Sequence, residues 1–255
     1  MTGGRPINVR AMPGRAMTGR VRTWLVHAPA HPATEADRRT VDVLGLALPA
    51  RASVVIAVVT FALLFDYSRT FLPDDSAAGG RAPDTMWAVA LLRAVLFGLV
   101  PLGVVLLGFR DRPSRYGITL GDWRAGLTLV VVGAAVMTPI VLWFATMPDV
   151  RAFYGPSVAP LQGLLATNAL DLTASEFLFR GFLMLTLVRV IGPLGVLVAT
   201  MPFVFTHLGK PELELLSTIG GGLVYGWLTW RTHSILWGAI GHVYILTLVI
   251  VAAAG

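Results

Sequence analysis

Apolar stretches long enough to cross a bilayer recur along this chain. Lipid offers a backbone no hydrogen-bond partners, so such stretches must fold as packed helices or as a closed barrel. A bilayer core takes about 20 apolar residues at a rise of about 1.5 Å each. Seven candidate spans fall at roughly 43–65, 87–109, 125–146, 160–188, 191–208, 213–230 and 234–254. The first is the weakest, because its uninterrupted part is only Ala52–Phe65. No strand-like or barrel-like alternation is visible. The expected fold is therefore all-α: a polytopic membrane helical bundle of about seven transmembrane helices. Composition agrees. Of the 255 residues, 55% are hydrophobic and 13% charged, against about 25% charged in a soluble domain. That balance excludes a water-soluble globule, and it excludes disorder, which needs low hydrophobicity. The chain has no cysteine, which rules out disulfides, thiolate metal sites and a cysteine nucleophile.

The net charge of +6 reports topology. Eight arginines and three acids (Glu35, Asp37, Asp42) in residues 1–51 account for +5 of it. These basic residues are spread out, with only Trp24 interleaved, so no nucleic-acid partner is expected. Arg38–Arg39 ahead of a partly apolar stretch resembles a twin-arginine export signal, but Asp42 and Pro49 interrupt that stretch and more spans follow. With the N-terminus inside, fourteen of the twenty basic residues fall on inner segments. Only Arg69, Arg81, Arg151 and Lys210 fall outside, as the positive-inside rule requires. The expected arrangement is a basic, disordered cytoplasmic tail over 1–42, N-terminal transmembrane helices over 43–109, and a membrane core over 110–255. Arginine in place of lysine, with abundant Ala, Gly and Val, suggests a GC-rich bacterial genome, and hence a bacterial inner membrane as the location and the lipid bilayer as the first partner.

An ionisable group inside a span costs roughly 2.5–3.5 kcal/mol on insertion scales and marks a functional candidate. The fourth span concentrates such groups. Asn168, Asp171 and Ser175 share one helical face, while Glu176 and Arg180 are four residues apart on an adjacent face and can pair. A buried ion pair that only fixes helix packing is the plainer interpretation of those two. In the fifth span Phe203 precedes His207 by one turn, so its ring can wall the imidazole. The last span holds His242. Two histidines and a glutamate on separate apolar helices can form a polar cavity within the bilayer, and histidine is the natural acid or base near neutral pH. Glu176, His207 and His242 would supply at most three metal ligands, and the H-E-x-x-H signature of zinc proteases is absent. No cofactor or metal is expected. Gly222 and Gly226 have the spacing that lets two helices approach closely.

Ser175-Glu176-Phe177-Leu178-Phe179-Arg180-Gly181, then Phe203-x-x-x-His207, then His242 resemble the motifs of the CAAX-processing and bacteriocin-processing (CPBP, Abi) family of intramembrane proteases. The resemblance covers about residues 110–250 and takes in the lead-in Tyr116–Trp123. It implies a Glu-Glu-x-x-x-Arg motif, a Phe-x-x-x-His motif and a final His-x-x-x-Asn or Asp. Carried over, Glu176 is the second glutamate, Arg180 the arginine, His207 the water-activating histidine and His242 the histidine on the oxyanion side. Two positions depart. Ser175 stands where the first glutamate belongs, and Leu246 where the final Asn belongs. Asp171, one turn before Ser175, is a candidate to supply the missing carboxylate.

The sequence thus implies an endopeptidase-like membrane protein whose proteolysis is weakened or lost. Its substrate would be a peptide segment that reaches the cavity. Two other functions fit the same residues. One is a non-hydrolytic member doing acid–base or shape-controlled chemistry, isomerisation or cyclisation, on an apolar small molecule. The other is a non-catalytic membrane partner or immunity factor. Counted along straight helices, Glu176 and His242 lie about 20 Å and 16 Å from the inner face and His207 about 25 Å. His207 therefore meets the others only if Pro193 and Pro202 shorten or kink its helix.

Overall fold

The computed structural model describes residues 23–24, 27–68, 83–157 and 159–255. The tail before Thr23 and the loop 69–82, which hold many of the topology-marking arginines, lie outside the described residues.

The described residues are overwhelmingly helical. A one-turn helix α1 (Glu35–Arg38) and a two-stranded hairpin, β1 (Thr40–Val43) and β2 (Leu46–Pro49), lead into α2 (Ala50–Ser68). Helix α3 (Thr85–Gly108) follows. It widens into π-helical turns at Ala94–Leu99 and Val104–Gly108, on either side of Pro101. Proline has no N–H to give the ladder, and local π adjustments absorb such a break. Helix α4 (Trp123–Phe144) starts at Asp122, whose side chain accepts from the Ala125 N–H. A short α5 (Pro148–Tyr154) precedes α6 (Leu161–Glu176), which runs through a π-helical stretch, Phe177–Met184, into α7 (Leu185–Ile191). Then come α8 (Leu194–Phe205), α9 (Glu212–Thr232) and α10 (Leu236–Ala254).

The helical membrane bundle expected from the sequence is what the chain forms. Among the described residues α2, α3, α4 and α10 are long and apolar enough to cross a membrane. Helices also occupy the other three expected spans, but α6–α7 and α9 carry polar residues and α8 has 12 residues. The first span begins at Ala50, not at residue 43, and residues 40–49 form a two-stranded hairpin where the sequence shows no strand-like alternation. Pro49 explains the shift. It closes the hairpin and, lacking an N–H, sits just ahead of the first helical turn, where that lack costs nothing.

Every residue from Ala174 to Arg189 is buried, so this stretch is the central rod of the bundle. A helix hydrophobic all round belongs in a core, and Phe177, Phe179, Phe182 and Leu185 pack there against α2, α3 and α8. Gly222 and Gly226 do set a close crossing. A Cβ on Gly222 would lie 2.6 Å from Thr200, and one on Gly226 2.8 Å from Val196, so α9 rides directly on α8.

One end of the bundle is tied together by charge. Asp37 is 1% exposed. It pairs with Arg51 at 3.0 Å, Arg115 at 2.8 Å and Arg189 at 3.7 Å, while Asp111 also pairs with Arg51 and Arg115. Burial alone would raise the Asp37 carboxyl. Hydrogen bonds from the Thr34 N–H and hydroxyl and from Arg115 outweigh it and hold the group well below the usual carboxylate range.

Candidate active site within the bundle

A cavity of about 580 Å³ opens between α3, α4, α6, α8, α9 and α10. Its polar wall collects residues far apart in sequence: Asn168, Asp171 and Ser175 from α6, His207 just beyond α8, and His242 from α10. The apolar wall includes Phe97, Phe179, Phe203 and Leu246. All four positions that the motifs place in a reaction centre, 175, 207, 242 and 246, therefore face one space, as serine, histidine, histidine and leucine.

Each histidine is held through the same ring nitrogen. His207 Nδ1 lies 2.9 Å from the Phe203 carbonyl, which only accepts, so Nδ1 carries the proton. His242 Nδ1 lies 3.0 Å from Glu176 Oε1 and likewise donates to the carboxylate. In both rings Nε2 is left for the cavity. Fixing one nitrogen to choose the tautomer is the usual device for presenting the other. Aromatic rings hold the planes. Phe203 meets His207 edge-on with centroids 4.6 Å apart, and Tyr225 stacks on His242 at 5.1 Å.

Glu176 and Arg180 do not line the cavity; they stand behind it. Glu176 is fully buried and pairs with Arg180 at 3.4 Å. The Arg180 guanidinium lies 3.8 Å over the Phe203 ring, a cation–π contact that helps a charge survive so deep in the bundle. The pair read from the i,i+4 spacing is present, and it backs the histidines on both sides: Glu176 against His242, and Arg180 against the ring that walls His207.

Asp171 is engaged. Arg93 of α3 donates to both of its oxygens at 3.1–3.2 Å, and the Ser175 hydroxyl donates to Oδ1 at 3.2 Å. Arg93 also grips Asp66 of α2 with two bonds of 2.9 Å. Asp66–Arg93–Asp171 thus stitches three helices together beside the cavity. Asp66 falls one residue past the first expected span and Arg93 inside the second, and neither carried a role in the sequence analysis. The available signal was two ions of opposite sign near adjacent span ends. At the cavity mouth Glu214 is paired with Lys210 at 2.8 Å and accepts from the Tyr154 hydroxyl. Asn168 donates to Thr247 at 3.0 Å, and Tyr244 bonds Thr138. Among the described residues no cluster of three or more His, Asp or Glu side chains is arranged to hold a metal ion.

His207 reaches the depth of Glu176 because α8 is short. It starts at Leu194, after a turn at Gly192–Pro193, and ends at Phe205. Twelve residues rise about 18 Å, which matches Glu176's position above Arg189. Gly195 permits the tight return. A Cβ there would lie 2.5 Å from the Val188 nitrogen. Residues 206–210 then turn back toward α9 through the bonds Lys210 N–H to His207 carbonyl and Thr206 hydroxyl to Phe203 carbonyl.

Fold and site together define a multi-pass helical membrane protein that encloses a histidine-lined cavity. Residues 157–248 match the family model described as type II CAAX prenyl endopeptidase Rce1-like. The resemblance read from the motifs is borne out over the segment that carries all three of them. No curated protein and no solved structure gives a match to the chain.

Proposed function

We propose that this protein is a membrane-embedded peptidase of the CAAX-protease type with an attenuated hydrolytic centre, its N-terminus on the cytoplasmic side of a bacterial inner membrane. The observation that carries this reading is the convergence of two imidazoles on one cavity, each pinned at Nδ1 and each leaving Nε2. His207 Nε2 takes a proton from water as its oxygen bonds to the scissile carbonyl carbon. The same proton passes to the leaving amine as the C–N bond breaks. His242, oriented by Glu176, donates through Nε2 to the oxyanion when protonated. Glu176 is a positioning residue that fixes the ring. Asp171, paired with the Arg93 that it shares with Asp66, accepts from Ser175 and shapes the wall. Loss of the amide donor at position 246 alone accounts for about 100–1,000-fold in rate. The matched family's description points to prenylated peptides, and a cavity set among lipid-facing helices suits a substrate with a lipid-anchored end.

A second reading has its own support. Both carboxylates that line the cavity, Asp171 and Glu214, are held by cations, Arg93 and Lys210. Among the described residues no third carboxylate lines it. A centre with histidines and no unpaired carboxylate suits non-hydrolytic acid–base chemistry on an apolar small molecule. Purified protein in proteoliposomes, given a prenylated reporter peptide, separates the two. The peptidase reading expects slow cleavage, a fall of about 100–10,000-fold in His207→Ala, and faster cleavage in Ser175→Glu/Leu246→Asn. Absence of cleavage in both the wild-type and the restored protein would overturn it in favour of the second.

A further inference from the structure

Among the described residues, the hairpin ahead of the first span has no partner for its apolar face. Its register pairs Val41 with Leu48 and Val43 with Leu46, and residues paired across two strands share a face. All four are apolar, and they are 42%, 37%, 44% and 63% exposed. Thr40, Asp42, Ala47 and Pro49 make the opposite face. Leu44 at the tip is 98% exposed. The tip is a two-residue turn with φ of 53° at Leu44 and 81° at Gly45. Asn or Asp is favoured at the first such position, because a branched apolar residue there is strained. An isolated two-stranded hairpin is also marginally stable in water. A strained leucine projecting fully from such a hairpin has no rationale in an aqueous setting.

Position supplies the occupant. β2 ends at Pro49, and α2, a membrane-crossing helix whose Val54, Ile56, Phe61 and Leu64 are exposed toward lipid, begins at Ala50. The hairpin therefore sits at the bilayer surface, continuous with a lipid-facing helix. Charge agrees. At this end Arg38, Arg39, Arg110, Arg112 and Arg124 are exposed, against two exposed acids, Glu35 and Asp42. The other acids here, Asp37, Asp111 and Asp122, are already paired with arginines.

We infer that the hairpin is an interfacial anchor. Leu44, Val41, Val43, Leu46 and Leu48 enter the headgroup–acyl boundary of the leaflet where α2 starts, and the surrounding arginines hold anionic phospholipid headgroups. Apolar insertion plus electrostatic attraction is the physics of monotopic anchors. The anchor also fixes where α2 enters the bilayer, next to Arg51 and the Asp37 network.

Because the chain lacks cysteine, single-cysteine spin labels report the hairpin without background. The full chain, labelled in turn at positions 41–44 and 46–48, is reconstituted into vesicles of phosphatidylcholine alone and of phosphatidylcholine mixed equally with phosphatidylglycerol. The expected result alternates. Positions 41, 43, 46 and 48 are accessible to oxygen and shielded from a water-soluble nickel chelate, positions 42 and 47 show the reverse, and position 44 lies deepest. Depth increases in the anionic vesicles, and Arg38→Gln/Arg39→Gln removes that increase. Leu44→Asn/Leu46→Thr, which suits the turn and keeps the hairpin, lifts a label at position 43 into water. Uniform access to the nickel chelate would overturn the inference. So would labels shielded from both reagents and dipolar-coupled between copies, which would make the hairpin a contact between two chains.

Discussion

Glu176 joins a buried ion pair to the proposed chemistry. Its carboxylate answers the Arg180 charge and orients His242. Removing one member of a buried ion pair leaves the other uncompensated, at about 3–5 kcal/mol. Glu176→Gln should therefore lower stability by about that amount, and adding Arg180→Met should restore most of it. Thermal unfolding in detergent measures both. Activity should separate from stability: the double variant stays about 10–100-fold slower in kcat than wild type, with KM little changed, because His242 has lost its charged partner. Recovery of full activity in the stable double variant would show that Glu176 serves packing alone. The i,i+4 spacing made the pair legible in sequence. The partnership with His242 was not, because it joins residues on helices separated by three others, and only packing reveals which face of α10 turns inward. The Arg93 contacts to Asp66 and Asp171 were hidden for the same reason.

At the scale of elements, the sequence marked most helices and missed their ends. Hydropathy averages over a window, so it blurred the boundary at Pro49 and merged the hairpin into a span. It also could not see that Gly192 and Gly195 begin α8 late, which is what brings His207 level with Glu176. The segment 27–34 ahead of α1 shows a second kind of hidden contact. His31 bonds the Trp230 carbonyl and stacks on His233 at 4.5 Å. Burial, followed by the neighbouring His233 and Arg189 charges, outweighs the raising effect of the Trp230 carbonyl and pushes His31 down to about 4. His233 is also lowered, chiefly by burial. A base whose folded pKa is depressed favours docking only while it is neutral. The docking energy is thus fully present above the ordinary histidine value of about 6.5 and is lost as pH falls from there toward about 4. Protection factors across residues 27–34, corrected for the intrinsic pH dependence of amide exchange, should fall over that window, and His31→Gln should flatten the fall. Corrected protection that does not change with pH in the wild-type chain would contradict this docking.

For the whole molecule, the division of labour follows from the solvent. Sparse charges mark its ends, lipid-facing side chains cover α2 and α4, and a fully buried rod from Ala174 to Arg189 carries the ionisable groups toward the cavity. The membrane class and the three motifs were readable in sequence because lipid forbids unexplained charge. The chemistry was less readable, because it depends on what replaced two expected groups. Ser175 and Leu246 occupy the cavity wall, and Asp171 is already bound. The central claim is that His207 still drives water onto a peptide carbonyl there. Cleavage of the prenylated reporter in water enriched with oxygen-18, followed by mass spectrometry of the products, tests it directly. One heavy oxygen is expected in the newly formed carboxylate, and that product is expected to be lost in His207→Ala. Product formed without heavy oxygen, or formed equally well without His207, would contradict it.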